Sequence, residues 1–292
     1  MKDIQLWTAL ITPLWENGEV NYEELNKLIR IQGEAGNGVL ILGSTGEGLA
    51  FSDKEKTEIL EFVSALDTSA PVMMGVGGYN LDQQLNWIRQ CNRASVDALL
   101  IVTPLYAKPG YRGQLHWFKT LLDAAEVPCM LYNVPGRTAV KLVPDVLSEL
   151  RDHPRFWAVK EASGDIMEYI GYREAAPDKA FFSGDDALTA FFARAGCSGL
   201  VSVASNVWPS ATNLYVKHCL EGKTDTLFPV WNHAVDALFS VSSPVPAKRL
   251  LKEKKVIRSA ALRSPLHEEE LTDVSGLIEA DKKIIEWFDA NK

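Results

Sequence analysis

Short apolar, β-rich runs recur along the chain at intervals of roughly 20 to 33 residues, and the stretches between them repeat their apolar residues with helical spacing. Eight such runs predict strands over residues 6–11, 38–42, 71–76, 98–102, 129–132, 157–160, 180–182 and 199–203. Several are almost unbroken in their apolar character. That suits parallel strands covered on both faces, because a half-exposed strand would alternate with polar residues.

The intervening segments predict helices with their own start and stop signals. Asn21 with Glu24 and Ser52 with Glu55 read as capping boxes. They precede apolar stripes at Leu25, Leu28 and Ile29, and at Ile59, Phe62, Val63 and Leu66. Gly36 stops the first helix, and Leu115, Phe118, Leu122 and Ala125 form a further stripe. The last unit runs from Pro209 to Gly222, with proline near the helix start and glycine just past its end. No strand signal follows. Leu277, Ile278, Asp281, Ile284, Ile285 and Phe288 are spaced as a terminal amphipathic helix. The pattern therefore predicts an α/β chain with βα units over residues 1–222 and a helical region over 223–292. Eight consecutive units without a linker favour a (β/α)8 TIM barrel with a C-terminal helical appendage, although a doubly wound open sheet can be written from the same alternation.

Composition narrows the function classes. With 47% hydrophobic and 23% charged residues over 292 positions, the chain has the make-up of a globular protein with a sizeable core. Thirty basic against 38 acidic residues leave a net charge of −8, so no basic footprint is available for nucleic acid. No apolar run approaches the ~18 residues a membrane span needs. The start, residues 1–5, lacks the pattern of a secretory leader, so a cytoplasmic protein is expected. Cys91, Cys129, Cys197 and Cys219 are far apart and read as reduced, buried thiols. The five histidines show no ligand spacing, and no metal site is expected.

In a parallel barrel, chemistry belongs at the C-terminal strand ends and the loops after them. The loop Gly43-Ser44-Thr45-Gly46-Glu47-Gly48 combines two hydroxyls with glycines and is either an anion cradle or an ordinary βα turn. Gly75-Val76-Gly77-Gly78 invites a dinucleotide reading, but Asn80 stands where the third glycine should be and Asp97 opens its strand. Turn geometry accounts for these glycines better. Lys160 ends the sixth run, and strict alternation places it with Phe156 and Ala158 on one side, toward the barrel interior. A free lysine amine has a pKa of about 10.4, so a nucleophile at neutral pH needs a depression of about 3 pH units, worth about 4 kcal/mol of desolvation.

Tyr132 also ends a strand, and Arg137 in the following loop can grip a carboxylate bidentately. Taken singly, each has a bland account: a satisfied core tyrosine, a solvated loop arginine, a lysine reaching for solvent. Their convergence with Ser44, Thr45 and Tyr106 on one predicted face argues for a site. Ser44 lies in no hydrolase elbow, and Asp185-Asp186 is explained by the dipole of the helix it opens.

Five co-linear motifs resemble the dihydrodipicolinate synthase and N-acetylneuraminate lyase family. They are Gly43-Ser44-Thr45-Gly46-Glu47, Tyr132 through Thr138, Val159-Lys160-Glu161-Ala162, Ser183-Gly184-Asp185-Asp186 and Pro244-Val245-Pro246-Ala247-Lys248. The resemblance spans essentially the whole chain and implies the barrel argued above. It implies that Lys160 forms a Schiff base with pyruvate, that Tyr132 moves protons, and that Ser44 and Tyr106 complete a relay, Tyr106 from a neighbouring subunit. Thr45 and the backbone around Gly184 and Val201 would hold pyruvate. Arg137 points to the synthase branch, which joins pyruvate to aspartate 4-semialdehyde on the route to lysine and diaminopimelate. A related aldolase or lyase acting on a sugar acid is the alternative, and the Ser44-Thr45 pair leans that way. A catalytically silent barrel serving as a scaffold is a third possibility. No cofactor is implied beyond covalently bound pyruvate, and the implied assembly is a dimer of dimers. Where lysine-inhibited members place polar or aromatic residues around an effector site, this chain has Gly48, Leu49, Asp53, Lys56 and Leu105 beside Asn80, which implies weak or absent lysine feedback.

Overall fold

The computed structural model describes residues 4–223 and 228–292. Residues 1–3, part of the start that lacks a leader pattern, and 224–227, in the opening of the expected C-terminal region, lie outside the described residues. All eight predicted strands are present: β1 (Leu6–Ala9), β2 (Gly38–Ile41), β3 (Val72–Val76), β4 (Ala98–Val102), β5 (Cys129–Asn133), β6 (Phe156–Glu161), β7 (Ala180–Ser183) and β8 (Gly199–Ser202). Every neighbouring pair is parallel, and β8 pairs back onto β1 through Leu6 and Leu200, which closes the barrel and removes the open-sheet alternative. β2 stops one residue earlier than expected because Leu42 adopts a left-handed backbone, φ 57°.

The helices between the strands are α1 (Tyr22–Glu34), α2 (Asp53–Ser64), α3 (Leu81–Arg93), α4 (Tyr111–Ala124), α5 (Pro135–Thr138), α6 (Pro144–Leu150), α7 (Ile166–Ala175) and α8 (Thr189–Arg194), with α9 (Pro209–Glu221) after β8. Ser52 and Glu55 form the reciprocal capping box at α2. At α1 only half of the expected box forms. Asn21 accepts from the Glu24 N–H, but the Glu24 carboxylate accepts instead from the Arg258 N–H at 2.8 Å.

Two apolar layers result. Outward-facing strand residues such as Val39, Ile41, Val159 and Leu200 pack against the helices. Trp7, Leu40, Met73, Leu100, Met130, Ala158 and Phe182 fill the barrel itself. The Trp7 indole occupies the space beside Gly38, where a Cβ would come within 2.5 Å of it. The alternation expected of β6 fails at its start. The register slips opposite Cys129 and Met130, so Trp157 is an extra residue and Phe156 turns into the outer layer. Trp157 packs inward, 6.1 Å from the Trp7 ring and 5.7 Å from that of Phe182. Ala158 and Lys160 keep their expected side.

After Gly222 come α10 (Phe228–Leu238), α11 (Val245–Glu253) and α12 (Ser275–Asn291). Leu277, Ala280 and Ile284 form the buried stripe of α12, narrower than the spacing suggested: Ile278 and Ile285 are 50% and 44% exposed. Asp281 interrupts that stripe because it accepts from the Trp208 indole at 2.7 Å and pairs with Lys254. All four cysteines are free and buried, and burial pushes Cys91 and Cys129 up to about 12. Among the described residues no helix is long and apolar enough to cross a membrane.

Candidate active site

The C-terminal ends of β2, β3, β4 and β5 surround a cavity of about 760 Å³. Its wall near β2 is built by a tight turn: Gly48 N–H donates to the Gly43 carbonyl at 3.0 Å, and Thr12 donates its hydroxyl to Gly46 at 2.8 Å. A Cβ at Gly48 would lie 2.0 Å from the Leu42 carbonyl oxygen and one at Gly75 2.4 Å from the same atom. Gly75 therefore permits a close approach between β3 and the end of β2 and belongs to no turn, whereas Gly78, φ 150°, does need glycine's backbone freedom.

Register places Tyr132 on β5 opposite Lys160 on β6. Both side chains point into the barrel, and the Lys160 ammonium lies 4.2 Å from the centre of the Tyr132 ring. Lys160 is 5% exposed, and burial lowers its pKa to about 7; the Asp186 carboxylate opposes that change and the Arg137 charge adds to it. The Tyr132 phenol is pushed up to about 12 by burial, against the Arg137 charge and a hydrogen bond from Ser44. An amine near neutrality beside a phenol can act as a nucleophile with an acid–base partner. Gly184 makes room for it, since a Cβ there would sit 2.8 Å from Lys160 Cε and 2.7 Å from Ala162 Cβ.

Ser44, Tyr132 and Arg137 line the cavity. Lys160 does not reach its wall but lies against the Tyr132 ring, which does. Thr45 is buried in the β2 turn, and Val201 sits on the inner face of β8. Tyr106 is not brought into the site. It is 86% exposed with φ 63°, and its N–H donates to the Thr138 carbonyl at 3.2 Å. Gly48, Leu49, Asp53, Lys56, Asn80 and Leu105 line an extension of the same cavity.

Several contributors escaped the sequence. Asn133 and Glu161, directly after Tyr132 and Lys160, brace the two strand ends through a 2.8 Å hydrogen bond, and Glu161 accepts from the Ser163 N–H at 2.6 Å. Their position beyond two chemistry-bearing residues was the available signal. Asp186 does not serve a helix dipole: it is buried and accepts from Ser202 at 2.5 Å and the Val203 N–H at 2.9 Å, while Asp185 makes the helix-opening bonds. Ser243 lines the cavity with a buried hydroxyl that has no hydrogen-bond partner among the described residues.

A closed parallel barrel with a desolvated lysine held against a tyrosine at its mouth places the chain among (β/α)8 barrel proteins with a buried amine at the strand ends. Within that class, the chain belongs to the dihydrodipicolinate synthetase family, whose profile matches residues 3–280, in agreement with the resemblance of the motifs. It is 48% identical over 287 residues to the 4-hydroxy-tetrahydrodipicolinate synthase of Francisella philomiragia subsp. philomiragia, covering 97% of each chain. Among solved structures it resembles the dihydrodipicolinate synthase of Cyanidioschyzon merolae with lysine bound, at TM-score 0.90 and 29% identity over 97% of this chain and 98% of that one. It also resembles the chloride-inhibited enzyme of Acinetobacter baumannii complexed with pyruvate, at TM-score 0.87 and 28% identity over 96% and 98%.

Proposed function

We propose that this protein is a Schiff-base aldolase that condenses pyruvate with aspartate 4-semialdehyde to 4-hydroxy-tetrahydrodipicolinate, in lysine and diaminopimelate biosynthesis. The observation that carries this reading is the buried Lys160 amine, held at about 7 against Tyr132. In its neutral form it adds to the C2 carbonyl of pyruvate, and loss of water leaves a protonated imine. Removal of a C3 proton gives the enamine, whose carbon attacks the aldehyde of the second substrate; the amine of that substrate then adds to the re-formed imine carbon and expels the Lys160 amine, which closes the ring and frees the lysine. Tyr132 passes the protons, with Ser44 as its hydroxyl link. Thr45 and the backbone at Gly184 and Val201 hold pyruvate, and Arg137 clamps the carboxylate of the semialdehyde. Pyruvate is bound covalently as substrate, and the reaction so written needs no further cofactor.

Tyr106, exposed in the single chain, serves the site of a second copy, within a homo-oligomer built as a dimer of dimers in the cytoplasm. The barrel over 1–222 carries the chemistry, and the region over 223–292 supports it. The test is turnover of both substrates, coupled to an NADPH-dependent reductase that consumes the cyclic product, with Arg137→Ala alongside. Activity that collapses in the variant supports the assignment. A protein that gains the pyruvate mass on borohydride reduction yet shows no turnover would refute the semialdehyde as partner while keeping the aldolase chemistry.

A further inference from the structure

The most deeply buried ion pair of the described residues is assigned no part in the chemistry above. Lys248, on α11, is wholly buried; its ammonium donates to Glu47 Oε1 at 2.5 Å and to the Ala261 carbonyl at 2.8 Å. The Glu47 side chain is 2% exposed, and its second oxygen accepts from the Arg263 N–H at 2.6 Å. The Arg263 guanidinium then crosses to Glu55 on α2 at 2.5 Å. Two opposite charges removed from water seldom stabilise a fold better than apolar residues of the same volume would. Stability alone is therefore a weak reason for the pair, and its location supplies another.

Glu47 stands in the turn that presents Ser44 and Thr45, and its N–H closes that turn onto the Ser44 carbonyl at 3.1 Å. Its φ of 56° is a left-handed conformation that a non-glycine residue keeps only where its surroundings hold it. Those surroundings come from 201 residues away, in the region after the eighth βα unit. The same helix, α11, begins just after Ser243, which also lines the cavity.

We propose that Glu47 and Lys248 are positioning residues: their buried pair clamps the β2–α2 turn against α11, so that the Ser44 hydroxyl meets Tyr132 and Thr45 meets pyruvate. The assignment rests on the aldolase reading, and the C-terminal region becomes part of the catalytic apparatus through a contact that touches no substrate.

The test uses Glu47→Gln combined with Lys248→Met, which removes both charges while leaving an acceptor for the Arg263 N–H. Melting temperature, kcat, and the rate of borohydride trapping of pyruvate on Lys160 are measured together. The clamp predicts a folded protein whose kcat and trapping rate both fall by about 10- to 100-fold, the scale of a small misplacement of reacting groups. Rates within twofold of the unaltered protein, at a temperature where both are folded, would make the pair structural only and overturn the proposal. Should the double variant fail to fold, Glu47→Gln alone replaces it, which removes one charge of the pair and keeps an acceptor for Lys248 and for the Arg263 N–H. Slower trapping at an unchanged melting temperature then supports the clamp, and unchanged trapping overturns it. Trapping needs no second substrate, so failure of the semialdehyde assignment would show separately, as absent turnover in the unaltered protein.

Discussion

Replacing Lys160 by methionine should abolish pyruvate trapping and at the same time stabilise the protein. Burial holds the amine at about 7 in the folded chain against 10.5 for a free lysine, a difference worth about 5 kcal/mol at about 1.4 kcal/mol per pH unit. The unfolded chain keeps that proton up to about 10.5 and the folded chain only up to about 7. Between those values the unfolded state binds more protons, and stability rises with pH. Below about 7 both states are protonated and the whole cost stands. Methionine is close in volume, apolar and indifferent to pH, so the variant should gain several kcal/mol near neutrality, reduced by about 1 to 2 kcal/mol for the lost contact with the Tyr132 ring. Urea unfolding of both proteins at equal concentration, from about pH 6 to 9.5, measures the gap. It should be widest below about pH 7 and close by about 1.4 kcal/mol per unit above it. A gap that does not change with pH, or a variant less stable than the parent at pH 7, would refute the claim that desolvation sets this amine.

Three further outcomes follow from the same geometry. The rate of borohydride trapping should rise with pH through about 7 and then level, and Arg137→Ala should move that midpoint upward, because the guanidinium helps hold the amine down; an unmoved midpoint would detach Arg137 from the lysine. Gly184→Ala puts a Cβ 2.8 Å from Lys160 Cε and 2.7 Å from Ala162 Cβ, so trapping should slow by about tenfold or more and the melting temperature should fall, because Ala162 Cβ cannot swing aside; an unaltered rate would show that the lysine needs no such room. Added lysine should leave initial rates within about twofold, since Lys56 lines the cavity extension beside Asn80 and repels a second cation; strong inhibition would sink that expectation.

Much of this molecule is written locally. Eight apolar runs bounded by turns locate the strands to within one or two residues, because a strand buried on both faces must be apolar throughout and the helices between must repeat at their own period. The capping box at Ser52 and Glu55 needs only neighbours and formed as read. The placement of Lys160, Tyr132 and Arg137 at or just after strand ends was legible because barrel topology makes strand ends the mouth. The rest depends on residues that meet only when the chain closes. The bulge at Trp157 that turns Phe156 outward arises from the pairing of β6 with β5, and strict alternation cannot foresee it. Gly75 is required by the Leu42 carbonyl just past the end of β2, and Gly184 by the lysine that passes over it. Ser243 reaches the cavity, and Lys248 reaches Glu47, from beyond the last βα unit. The lysine's position at a strand end was decided by sequence, but its amine nears neutrality only inside the closed barrel, because desolvation and the fields of Arg137 and Asp186 belong to the assembled chain and to no segment of it.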